Sequence, residues 1–131
     1  MATVSPKGLI TRNIGYTVKE AIDMLQAGLS QKGVTIYARI DQQAELAKTG
    51  QIIPPLEFLL FGNPKAGGPI MSLYPVAAID LPLKVIAWED ESKKVKIAYN
   101  DAQYIRERFG LPAELSAPLD LTQIISKVLD K

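Results

Sequence analysis

Apolar residues recur every three or four positions between Val18 and Leu29: Val18, Ala21, Ile22, Leu25 and Leu29 share one helical face, while Lys19, Glu20 and Gln26 fall mostly off it. That spacing predicts an amphipathic first helix. Thr17 and Glu20 stand three apart as a capping box at its start, and Gly33 is placed for a left-handed stop at its end. The period then changes to two. "VTIYARI" alternates Val34, Ile36, Ala38 and Ile40 against Thr35, Tyr37 and Arg39, which predicts a half-buried strand. A short strand over residues 8–13 precedes the helix. Asp41 reads as the N-cap of a brief helix closed by Gly50, and "PLEFLLF" as a third strand over residues 56–61.

Further on, "LPLKVIAWEDESKKVKIAYN" predicts a hairpin turning at residues 90–93. If Trp88 faces Val95, then Ile86 faces Ile97, Glu89 lies opposite Lys94, and Ile86, Trp88, Val95, Ile97 and Tyr99 share one buried face. "NDAQYIRERFG" predicts a helix capped by Asn100 or Asp101 and stopped by Gly110, and Leu121, Ile124, Ile125 and Val128 form a terminal apolar stripe. Strands interleaved with helices and ending in a hairpin point to one α+β domain over residues 1–131, with a mainly antiparallel sheet and helices packed on it.

Composition narrows the chemistry. The 131 residues suffice for one core, burying about two-thirds of the unfolded surface. No apolar run approaches the roughly 18 residues of a membrane span, and the opening "MATVSPKGLITRN" lacks a signal-like pattern, so a cytoplasmic protein without membrane partners is expected. A net charge of +1 with dispersed lysines and arginines argues against nucleic acid. The chain has neither histidine nor cysteine, which removes histidine- and cysteine-based triads, haem ligation through either residue and the usual zinc sites. No metal or cofactor is expected, and acid–base work would fall to carboxylates, lysines or tyrosines.

The stretch closest to chemistry is "GNPKAGGP", residues 62–69, read as a loop between the third strand and a brief helix from Pro69 to about Tyr74. It fits neither the Walker pattern, because Gly67 is followed by Gly68 and Pro69 rather than Lys and Ser or Thr, nor a dinucleotide fingerprint. Two readings remain. The N–H groups of Gly67 and Gly68 could cradle an anion, with Lys65 supplying charge and Asn63 a hydrogen bond; or the glycines and the Asn63-Pro64 step could simply form a tight corner. Carboxylates near strand ends, Asp41, Asp80, Glu89, Asp90 and Asp101, suit caps and turns as well as chemistry. Tyr99 and Trp88 suit a core.

"FGNPKAGGPIM", "DLPLKVIAWED" and "YNDAQYIRERFGL", in that order and separation, resemble the prokaryotic family called domain of unknown function 302. The resemblance implies a curved, mainly antiparallel sheet with helices packed on it, of the TATA-box-binding-protein-like type, and homodimers. Members often carry Ile-Asp-His where this chain has Ile40-Asp41-Gln42, a histidine near the position of Phe109, and Gly-Thr where it has Gly67-Gly68. Any use of those imidazoles or that hydroxyl is closed to this chain.

The expectation is therefore a cytoplasmic homodimeric module holding a small polar or anionic ligand near Asp41, Asn63, Lys65, Gly67 and Gly68. One alternative is a carboxylate-dependent enzyme with Asp41 or Glu89 as acid/base and Lys65 as electrostatic stabiliser, which needs these groups in one cleft. Another is a protein or nucleic-acid interaction module using the sheet surface.

Overall fold

The computed structural model describes residues 2–4 and 6–130. Six strands, β1 (Ala2–Val4), β2 (Leu9–Ile14), β3 (Thr35–Asp41), β4 (Leu56–Gly62), β5 (Leu83–Glu89) and β6 (Val95–Asn100), form one sheet in the order β1-β2-β6-β5-β4-β3, antiparallel at every pairing. The helices are α1 (Val18–Gln31), α2 (Gln42–Ala47), α3 (Pro64–Leu73), α4 (Ala102–Phe109), α5 (Ala113–Ser116) and α6 (Thr122–Leu129), with 3-10 turns at Pro75–Ile79 and Ala117–Leu119. The α+β class and the antiparallel sheet agree with the pattern along the chain.

The α1 stripe does what its period demands. All five of its apolar residues are buried, and the Thr17–Glu20 capping box closes in both directions. Together with Ile125 and Leu129 of α6, they cover one sheet face made by Leu59, Phe61, Val85, Ala87, Val95, Ile97 and Tyr99. A second, smaller core gathers Ile70 of α3, Ala77, Ile105 of α4, Leu111 and Leu119. Leu83, at the start of β5, packs against both cores.

Three local expectations change. The hairpin register is shifted by one: Glu89 pairs with Val95, Trp88 with Lys96 and Ala87 with Ile97. Lys93 takes a left-handed conformation, φ 64°, while Asp90 N–H donates to the Lys94 carbonyl, so the turn holds three residues, not four. A one-residue slip turns a strand over. Val85 and Ala87 enter the main core, whereas Ile86 and Trp88 point to the other sheet face beside Leu56, Phe58 and Leu60 of β4. Trp88 is thus not the core anchor its size suggests.

In β3 a bulge between Ile36 and Ala38 breaks the expected alternation. Ile36 packs on the main core, while Arg39, not Ala38 or Ile40, reaches Glu57 and α1. The third change is the stretch 62–69, which is not a loop. Asn63 caps a helix that already begins at Pro64, a residue suited to the first turn because it has no N–H to leave unpaired, and Gly67, Gly68 and Pro69 lie within that helix. Its anchor is Ile70, fully buried in the second core.

Candidate functional site

The N–H groups of the first turn of α3 are already taken. Lys65 N–H donates to the Asn63 side-chain oxygen at 2.9 Å, and Ala66 and Gly67 N–H both donate to the Asn63 carbonyl at 2.9 and 2.8 Å. Gly68, one residue further into the helix, has its N–H directed along the helix axis into the backbone ladder. A cradle made of the Gly67 and Gly68 N–H groups is therefore not what this segment forms. Gly67 has another use: it keeps one side of the helix bare.

That bare side borders a cavity of about 450 Å3 between the two cores. Thr35 pairs with Gly62, so the chain entering β3 and the chain leaving β4 meet at the same sheet end. This brings Lys32 and Val34 beside Asn63, and the bulge places Tyr37 with them. A Cβ on Gly62 would lie 3.7 Å from the Tyr37 ring, and one on Gly67 3.5 Å from the Met71 methyl, both ordinary van der Waals contacts. Leu83 and the Leu81-Pro82 segment form one wall, Leu119 and Ile124 another.

Of the five residues expected at a site, Asn63 and Gly67 line this cavity. Lys65 and Gly68 lie on the exposed side of α3. Asp41 pairs with Glu57 at the opposite end of the strands, six residues or about 20 Å from the Thr35–Gly62 end, and its side chain accepts the Ala44 N–H as the cap of α2. Glu89 sits at the hairpin end, near a shallow cleft with Glu20 and Lys93. Asp41, Lys65 and Glu89 thus occupy separate places, and the shared cleft required by the carboxylate enzyme is not formed.

The other carboxylates have structural partners. Asp101 caps α4 through the Gln103 N–H, Asp80 accepts from Arg108 at 2.9 Å, and Asp90 accepts the Ser92 and Lys94 N–H groups. The Lys94 and Ser92 N–H bonds hold the Asp90 carboxyl below its usual range. Among the described residues, no group of three or more acidic side chains could hold a metal ion. Tyr99 is buried in the main core.

Lys32 and Leu119 belong to no motif, while Tyr37, Leu83 and Ile124 read in the sequence only as parts of a strand, the "DLPLKVIAWED" stretch and the terminal apolar stripe. They come from four separate segments, and only the fold joins them.

Comparison with known proteins places this architecture. A crystal structure of a conserved DUF302 protein from Bacillus stearothermophilus superposes with a TM-score of 0.77, covering 94% of this chain and 96% of that one at 18% identity, a likeness of fold. The chain is 33% identical over 111 residues to the fluoride-specific ion channel FluC 1 of Brucella suis biovar 1 (strain 1330), covering 85% of this chain and 44% of that protein. The same identity and length relate it to FluC 1 of Brucella abortus biovar 1 (strain 9-941), of which 41% is covered. The chain therefore spans less than half the length of these curated relatives. Residues 10–131 match the family described as domain of unknown function DUF302, and the chain belongs to that family.

Proposed function

We propose that the protein is a cytoplasmic, homodimeric module that binds a small molecule in the cavity beside the Asn63 cap. The observation that carries this reading is the cavity itself. Its volume is in the range of small-molecule sites, and its walls are mostly apolar with a few polar groups among them. Two of the residues marked by the sequence, Asn63 and Gly67, belong to it. The reading is tested by thermal-shift screening of a small-molecule panel against the wild type and Gly67→Leu. Gly67 sits inside a helix, where leucine is well tolerated, and its side chain would occupy the cavity. Ligands that raise the melting temperature of the wild type alone support the site; a panel that shifts both proteins equally counts against it.

The dimer is supported by the second sheet face. Leu56, Phe58, Leu60, Ile86 and Trp88 belong to neither core, remain partly exposed and stand side by side across β4 and β5. A second copy meeting this face would bury it.

A second reading is favoured by the Brucella relatives, which are named fluoride-specific ion channels and of which this chain spans less than half. Among the described residues no helix is long and apolar enough to cross a membrane, and the sheet has two unjoined edges, β1 and β3. We propose that the shared segment is an attachment to the conducting part of those relatives, and that this chain serves a membrane partner of the same kind. Deleting the shared segment from the Brucella suis protein should leave fluoride flux in liposomes; loss of flux with the rest of the protein intact contradicts this.

A further inference from the structure

The cavity beside α3 is lined by both hydrogen-bond donors and hydrocarbon. Lys32, Tyr37 and Asn63 enter it from where β3 begins and β4 ends. The Asn63 side-chain oxygen is taken by the Lys65 N–H, which leaves its amide N–H groups to donate. The Lys32 ammonium makes no ion pair or side-chain hydrogen bond among the described residues, and the Tyr37 hydroxyl has no partner there. No carboxylate lines the cavity. Elsewhere in the lining, Met71, Leu83, Leu119 and Ile124 offer only hydrocarbon and thioether surface.

This combination selects for charge and shape together. Three side chains that can donate, one of them cationic, match the several lone pairs of an anionic oxygen group. A neutral molecule gains nothing from the Lys32 charge, which an anionic group would pair. An inorganic anion satisfies the donors but leaves the apolar walls facing water. We propose that the cavity takes an amphipathic organic acid, its anionic head at Lys32, Tyr37 and Asn63 and its hydrocarbon body against Met71, Leu83, Leu119 and Ile124. This rests on the reading of the cavity as a ligand site and specifies the class of ligand.

Calorimetric titration with decanoate, decanol, decylammonium and inorganic phosphate, each below about 1 mM, separates the possibilities. The proteins are the wild type, Lys32→Gln, which alters an exposed side chain, and Gly67→Leu, with circular dichroism melts to confirm that each is folded. Decanoate is expected to bind the wild type about tenfold or more tighter than decanol, and Lys32→Gln to remove that preference while leaving decanol binding unchanged. Gly67→Leu is expected to abolish both, and phosphate alone not to bind. Decanol or decylammonium binding as tightly as decanoate, or a decanoate preference that survives Lys32→Gln, overturns the anionic head while leaving the cavity a ligand site if Gly67→Leu still abolishes binding. Phosphate binding as tightly as decanoate overturns the hydrocarbon body. Binding that survives a folded Gly67→Leu, or no binding of any organic probe to the wild type, overturns the cavity reading and this inference with it.

Discussion

Arg39 shows how one side chain ties the sheet to its covering helix. Its Nε donates to Glu57 at 2.9 Å, and its Nη1 to Asp23 at 2.6 Å and Gln26 at 3.1 Å. Glu57 is 8% exposed on the core-facing side of β4, and Arg39 is its ion-pair partner there. Burial works against the Arg39 charge, but the bonds it donates to Asp23 and Glu57 outweigh it and raise its pKa. Arg39→Ala should therefore cost about 2–3 kcal/mol by leaving Glu57 buried and unpaired. Asp23→Ala, at a half-exposed carboxylate, should cost less than about 1 kcal/mol. Urea unfolding measures both, and equal costs would contradict this account of Glu57. The Arg39 hydrogen bond also lowers the Asp23 pKa from its ordinary 3.8. In that window the unfolded chain binds more protons than the folded one, so the contribution of Asp23 is present above about 3.8 and is lost as pH falls through the depressed value. Asp90 follows the same sign. Melting temperature against pH should thus fall less steeply at the acid end in the Asp23→Asn/Asp90→Asn double variant, and superimposable acid limbs would argue against it. The caps of Thr17 and Asp41 were legible in the sequence because their partners lie three residues away. The Arg39–Glu57 pair was not, because its partners are 18 residues apart and meet through the β3 bulge.

Helix α1 was legible for the same reason of locality: a 3.6-residue stripe needs only a surface to bury itself against. The hairpin and α3 were less so. Lys93, a residue with no special preference for positive φ, occupies the left-handed position of the turn, and that single angle decides which face of β5 is buried. In α3, two consecutive glycines and a proline read locally as a corner, yet burial of Ile70 holds them in a helix. Two glycines test these packings in opposite directions. A Cβ at Gly28 would run into the Val128 side chain where α1 meets α6, so Gly28→Ala should destabilise by about 1–3 kcal/mol. At Gly68 a Cβ meets nothing within 4 Å, and Gly68→Ala should stabilise by up to about 1 kcal/mol through helix propensity. Thermal unfolding of both variants gives the signs directly, and a destabilised Gly68→Ala would mean that α3 is held in a different conformation.

The molecule joins a main core under α1 and α6 to a smaller one around α3 and α4, with the cavity where they meet. Its candidate site was half legible: the spacing of glycines singled out the segment containing Asn63 and Gly67, but assigned Gly67 to backbone recognition rather than to a bare helix side. Lys32, Tyr37, Leu83 and Ile124 could not be assembled without the fold, since nothing in their separate segments links them. For the whole assembly, light scattering should give twice the 14.3 kDa chain mass, and Phe58→Glu on the second sheet face should return it to the monomer mass. A wild type that remains monomeric at micromolar concentrations would contradict the dimer. The cavity is the centre of the account, and a nitrogen-edited NMR titration with decanoate examines it most directly. The amides of residues 32–37, 62–71, 81–83 and 119–124 should shift together and saturably in the wild type but stay still in Gly67→Leu; saturable shifts confined to the hairpin end, or unchanged by Gly67→Leu, would contradict it.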